Sequence, residues 1–250
     1  MKAQLHAIPV AEAFQTHDEC PFCYLERETE QRAIRYFAGP GASYMEPEVR
    51  GITNRAGFCG GHMKKLYDYG NPLGAALMLQ THYEDILLEL RKQAENPATP
   101  AKKGLFSRKK AETGDSYPMH LRQRVASCAI CHQVESNMTR QYQVFFSLLG
   151  EAEFRTMIEN SKGFCLPHFA RLLQEAEKHL PAAHAQWFYP TVYGVMEENL
   201  QRVKEDLDWL IAKYDYRNAG ADWKNSKDAL QRTMQKLGGI YPADPPYRKD

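Results

Sequence analysis

The chain has 250 residues, 43% of them hydrophobic, which is enough for one large or two small domains around an ordinary core. A formal net charge of +1 removes any overall demand for nucleic acid or an acidic membrane as partner. No window approaches the apolar length of a membrane span, and Met1 to Val10, broken by His6 and Pro9, lacks the apolar run of a signal peptide, so the expected setting is a reducing cytoplasm without membrane contact.

In chain order, Cys20-Pro21-Phe22-Cys23 leads into a run of helix formers that Gly39-Pro40-Gly41 stops, which predicts a helix opening at the cysteine pair. Tyr44 to Asn54 reads as a loop. Gly57-Phe58-Cys59-Gly60-Gly61-His62 then introduces a second helix, Met63 to Tyr69, closed by Gly70-Asn71-Pro72. A third carries Leu79, Tyr83, Ile86, Leu87 and Leu90 at helical spacing, with His82 beside the stripe. His82 reads as a core histidine hydrogen-bonded to a neighbour, and a place on a binding surface is the alternative.

Residues 96–118 change character. Lys102, Lys103, Arg108, Lys109 and Lys110 face only Glu112 and Asp115, among Pro and Gly and without an apolar period. This is the pattern of a flexible, solvated basic linker, with nucleic-acid contact as the lesser reading.

The second half repeats the plan. Cys128-Ala129-Ile130-Cys131 opens an amphipathic helix through Val134, Met138, Tyr142, Phe145 and Leu149 that ends at Gly150. A short helix is expected over 151–159, then Gly163-Phe164-Cys165-Leu166-Pro167-His168 and a helix bearing Phe169, Leu172 and Leu173. A long helix follows Pro190, with Val192, Val195, Met196, Val203, Leu207, Leu210, Ile211 and Tyr214 on one face. Beyond it, Tyr216, Arg217, Asn218 and Trp223 form a candidate binding surface, a docked tail being the plainer reading. Asn225 is expected to cap a last helix that Gly238-Gly239 stops. No strand pattern competes. The expected fold is all-α: two pseudo-repeated three-helix units over 1–95 and 119–214, the linker 96–118 between them, and a capping helix and tail over 215–250.

All six cysteines fall into two matched arrays, C-x2-C-x35-C-x2-H and C-x2-C-x33-C-x2-H. Each pair can grip an ion from one helical turn, and three thiolates with one imidazole complete the tetrahedron of a closed zinc site. Each array is expected to close within its own half: Cys20, Cys23, Cys59 and His62 on one ion, Cys128, Cys131, Cys165 and His168 on another. Helix N-termini at these motifs would turn free N–H groups and positive dipole ends toward the thiolates. Two zinc ions are the expected cofactors, and iron–sulfur clusters suit the same ligand types.

Competing motifs fit less well. Cys20-Pro21-Phe22-Cys23 resembles a redox dithiol but has no preceding strand, and Cys128-Ala129-Ile130-Cys131-His132 matches a haem-attachment signature that leaves Cys165 and His168 unexplained. No catalytic constellation stands out. The leading expectation is a non-enzymatic zinc-binding helical scaffold or interaction protein with a protein partner. The alternative is an iron–sulfur or thiol-redox, metal-handling protein. Nothing in the pattern sets an oligomeric state.

The doubled C-x-x-C … G-F-C-x-x-H plan resembles a bacterial family of unknown function. Tyr44-Met45-Glu46-Pro47, Leu77-Met78-Leu79-Gln80-Thr81-His82, Tyr216-Arg217-Asn218-Ala219 and Asn225-Ser226-Lys227-Asp228-Ala229-Leu230 share in that likeness, which runs from Ile8 to Leu237. The resemblance implies a cytoplasmic bacterial protein and carries no activity with it.

Overall fold

The structure is a computed structural model in which residues 5–95 and 116–242 are described. Among them are eleven α-helices and no strand. The first half holds α1 (Ile8–Gln15), α2 (Pro21–Ala38), α3 (Pro47–Ala56), α4 (Gly60–Tyr69) and α5 (Pro72–Glu95). The second holds α6 (Tyr117–Ala126), α7 (Ala129–Ser147), α8 (Ala152–Glu159), α9 (Leu166–His179), α10 (Ala185–Ala212) and α11 (Ala229–Gly238). Most of the basic stretch, residues 96–115, lies outside the described residues, and so does the nucleic-acid reading that rested on it. The last prolines of the tail, Pro245 and Pro246, lie outside them too.

The repeat is a set of four helices, since α2, α3, α4 and α5 recur as α7, α8, α9 and α10. The segment expected as a loop is largely α3. Pro47 at its first position has φ preset for a helix, Glu48 sits in the first turn, and Val49, Thr53 and Ala56 form one buried face. The counterpart α8 buries Phe154 and Ile158 at the same four-residue interval. Helices α1 and α6 were not expected either. The first buries Val10, Ala13 and Phe14, whereas α6 buries nothing and is tied by His120 and Arg124 to the Glu89 carboxylate.

Two compact units are formed, residues 5–29 with 136–242 and residues 30–95 with 116–135. This division departs from the repeat boundaries, because it falls inside α2 and inside α7. Each of those helices therefore gives its two parts to different units.

The first unit has an aromatic core. Phe22, the residue between the two cysteines of the first pair, stacks on Tyr142 with ring centroids 4.1 Å apart. Phe14 meets Phe154 edge-on at 5.3 Å, and Phe145 meets Phe154 at 5.4 Å and Phe188 at 6.4 Å. Each such ring contributes about 1.5–3 kcal/mol by leaving water. Phe188 also explains why α10 begins at Ala185, before Pro190, and not after it as expected. Pro190 cannot donate to the previous turn, but the turn ahead of it is held by Phe188, fully buried against Phe145 and Phe146. Along α10 the apolar face stays buried through Val203, while Ile211, and Tyr214 just past the helix end, are exposed. Helix α11 packs on α9 and α10. Its N-cap is Asp228, three residues beyond the expected Asn225, and Gly239 ends it in the left-handed region at φ 75°.

The second unit is built on Ile34, Phe37, Val49, Phe58, Leu66, Met78 and Ile130. Helix α5 enters this core through Met78 and Gly74, where a Cβ would stand 2.9 Å from the Tyr44 ring. Of the stripe read from the sequence, Tyr83, Leu87 and Leu90 are exposed, as are Leu73 and Leu88.

Candidate metal centres

The eight ligands gather into two clusters, but not the two expected. Cys20, Cys23, Cys165 and His168 form one, and Cys59, His62, Cys128 and Cys131 form the other. Each cysteine pair thus joins the C-x2-H motif of the opposite half, and each cluster lies within a single compact unit. The physical reason is the weakness of loop length as a constraint. Closing about 141 residues instead of 35 costs only about 1 kcal/mol more. The Phe22–Tyr142 stack and the rings around it outweigh that, and they draw the first cysteine pair into the core carrying Cys165 and His168.

Local structure places every ligand in or just before a first helical turn. Cys20 precedes α2 with Cys23 one turn on, and Cys128 and Cys131 stand likewise at α7. Cys59 and Cys165 are the N-caps of α4 and α9, with His62 and His168 at the third helical position. Free N–H groups meet the sulfurs as expected of such ends. The amide of Cys23 donates to Cys20 Sγ at 3.4 Å, that of Cys131 to Cys128 Sγ at 3.4 Å, and that of His168 to Cys165 Sγ at 3.5 Å. Ahead of each C-x2-H motif, a glycine with positive φ makes the turn, Gly57 at 59° and Gly163 at 73°. A Cβ on Gly57 would stand 2.6 Å from the His82 ring, and one on Gly163 would stand 3.3 Å from Met196 Sδ.

Within the clusters the donor atoms face one another. In the first, the Cys20, Cys23 and Cys165 sulfurs lie 3.6, 3.5 and 3.1 Å from His168 Nδ1, and Cys23 Sγ is 3.5 Å from Cys165 Sγ. In the second, the Cys59, Cys128 and Cys131 sulfurs lie 3.3, 3.2 and 3.3 Å from His62 Nδ1, and Cys59 Sγ is 3.8 Å from Cys131 Sγ. A tetrahedral ion with bonds of ~2.3 Å to sulfur and ~2.0 Å to nitrogen sets its donors about 3.5–3.8 Å apart. The sets fit one ion each. None of the six cysteines is in a disulfide.

Behind each imidazole stands a carboxylate that sequence reasoning missed. His62 Nε2 meets Glu30 Oε1 at 3.0 Å, and His168 Nε2 meets Glu26 Oε2 at 3.4 Å. Such a partner keeps the proton on Nε2 and leaves Nδ1 free to ligate. The signal was present, since Cys23, Glu26 and Glu30 recur at i, i+3 and i+7 on α2. Lys65 in turn pairs with Glu30 at 2.5 Å.

Crowding makes the ligands compete for protons. Hydrogen bonds from Cys20 and Cys23 hold the Cys165 thiol down at about 4, and the contacts of Cys23 with Cys165 and Cys20 push its own thiol far above the ordinary range. Burial raises Cys128, but its bond with His62 prevails and leaves it at about 6, while burial and the neighbouring Cys128 push Cys131 to about 12. Burial lowers His62, yet Cys128 and Glu30 carry it up to about 10. Three sulfurs at these distances repel as anions, and a divalent cation among them relieves that repulsion while displacing the protons.

The remaining candidates stand apart from both clusters. His82 ring nitrogen Nδ1 bonds the Asn54 carbonyl at 2.6 Å, in the manner of a packed core histidine. Past α10, Lys213 Nζ gathers the carbonyls of Asn218, Ala219 and Ala221 and stands 5.0 Å over the Trp223 ring. Arg217 is bound to Asp215, Asn218 donates to the Ala212 carbonyl, and Tyr216 is 87% exposed.

No curated protein and no solved structure matches the chain. A family model does, over residues 1–244, and with the doubled Cys3His plan it covers, the chain belongs to a family of unknown function (DUF6062).

Proposed function

We propose that the protein is a non-enzymatic helical scaffold held by two zinc ions, which presents its helices to a protein partner. The observation that carries this reading is the closure of both ligand sets. Four protein donors per ion leave no position for water or substrate, which is the arrangement of structural zinc. Donor atoms spaced for one ion favour zinc over a polynuclear iron–sulfur cluster, whose ligands must stand around several metal atoms. Unpaired cysteines suit a reducing cytoplasm. No helix among the described residues is long and apolar enough to cross a membrane. The apolar side chains that α5 exposes, Leu73, Tyr83, Leu87, Leu88 and Leu90, support a protein partner.

Elemental analysis of anaerobically purified protein tests the metal. Two equivalents of zinc in a colourless protein are expected, and iron with acid-labile sulfide would replace this reading with the redox one. Removal of both ions should abolish cooperative unfolding. A full helical signal and a sharp melt after complete stripping would sink the structural role.

A further inference from the structure

The first compact unit carries a charged cleft that neither metal centre uses. It encloses about 380 Å³, and eight of its nine lining residues are charged, five cations against three carboxylates. Two of the cations are committed. Arg232 bonds Asp206, Asp228 and the Asn225 carbonyl, and Arg202 bonds Glu19 and Asn199. The other three, Lys162, Lys224 and Lys227, make no hydrogen bond through their ammonium groups among the described residues; Lys162 Nζ stands 3.9 Å from Glu19 Oε1, and Lys224 Nζ stands 4.3 Å over the Trp209 ring.

At the base of the cleft is Glu19, with 5% of its surface exposed. Its Oε2 takes Arg202 at 2.5 Å and Lys236 at 3.3 Å. Its Oε1 is buried on a residue that lines the cavity, and it has no hydrogen-bond partner among the described residues, only the Lys162 ammonium at 3.9 Å. A buried carboxylate oxygen without a donor is costly, and native structures leave few. The floor is rigid, because the buried Lys236 ammonium donates to the backbone carbonyls of both Glu19 and Lys162. The cleft therefore offers one fixed acceptor below and three ammonium groups about its lining, a pattern that complements a ligand with a hydroxyl at one end and an anion at the other.

We propose that this cleft binds a small hydroxylated phosphomonoester, its phosphate among Lys162, Lys224 and Lys227 and a hydroxyl donating to Glu19 Oε1. The cavity volume suits a metabolite of that class. The reading is independent of which metal the Cys3His sets hold.

Isothermal titration of the full, metal-loaded chain with glycerol 3-phosphate and with inorganic phosphate tests it. Glycerol 3-phosphate should bind, and inorganic phosphate should bind about ten-fold more weakly for want of the hydroxyl. The double variant Lys162→Ala/Lys227→Ala, whose exposed side chains leave the fold intact, should lose affinity for both by about ten-fold or more. Glu19→Gln should bring the two probes to equal affinity, with metal content and helical signal checked alongside. If Glu19→Gln fails to fold, the lysine variant alone decides. Absence of binding to the unaltered protein overturns the proposal, as does unchanged binding in the lysine variant or equal affinity for the two probes in the unaltered chain.

Discussion

The two metal centres share a ligand set and differ in how they are enclosed. The Cys20–Cys23–Cys165–His168 centre is buried at all four ligands, whereas Cys131 is exposed and Cys59 half-buried in the other. The difference comes from one helix. The end of α11 lies over the first centre, where the Gly239 carbonyl accepts from Cys23 Sγ at 3.5 Å and a Cβ on Gly239 would lie 3.5 Å from Cys165 Sγ. In the second unit, no helix among the described residues takes that place. The two repeats carry the same ligand types, and α11, which follows only the second of them, covers only one of the two centres. Similar chemistry in the two centres thus implies different exchange with solvent.

The pairing itself is the comparison most easily broken. Cys20→Ser and Cys165→Ser should each release about one metal equivalent, and the double variant should still release only one, because both ligands serve the same ion. Cys20→Ser with Cys59→Ser should release two. Metal counted per chain checks this, and the reverse pattern would restore pairing within each half. Hydrogen exchange should place the loosening caused by Cys59→Ser around Cys128 and Cys131, far along the chain.

Exposure predicts order of loss. A chelator should strip one equivalent about ten-fold faster than the other, and Cys128→Ser should remove the fast phase. Mild oxidant should join Cys59 to Cys131, whose sulfurs are 3.8 Å apart, before it touches the buried set. Acid should follow the same order. Protons compete with the ion at every thiolate and imidazole, and the less enclosed centre should yield to them at the higher pH. Metal retained after stepwise acidification reads this out. Equal loss of both ions would mean that enclosure does not govern exchange.

Smaller effects should separate the carboxylates. Glu30→Gln should weaken metal at the second centre by about 10–100-fold. Glu26→Gln should do less at the first, because its contact is longer and Glu26 is half-exposed. Competition titration against a zinc indicator measures both. The least is expected of Gly239→Ala, which puts a side chain in the left-handed region at a cost of about 1–2 kcal/mol. It should raise the exchange rate of the buried centre toward that of the exposed one, with stoichiometry unchanged.

Much of this was legible in the residues. Thiolate chemistry and the spacing of Cys pairs from C-x2-H motifs name the ligands without any fold, and apolar periodicity with Gly and Pro stops places α2, α4, α5, α7, α9 and α11. Helix α3 was hidden because Val49, Thr53 and Ala56 make too short a stripe to compete with the surrounding Pro and Gly, although the repeat with Phe154 and Ile158 could have exposed it. The start of α10 was hidden because Pro190 is a local stop signal that the burial of Phe188 overrides. The partition of the ligands was not legible at all. Sequence spacing acts on pairing through loop closure, which changes by about 1 kcal/mol over these lengths. Metal ligation, worth roughly 10–16 kcal/mol per site for a structural zinc ion, would take whichever donors the core presents together. The aromatic packing of Phe22 on Tyr142 made that choice, because burial and ring stacking depend on which side chains meet in space and hardly at all on how far apart they stand along the chain.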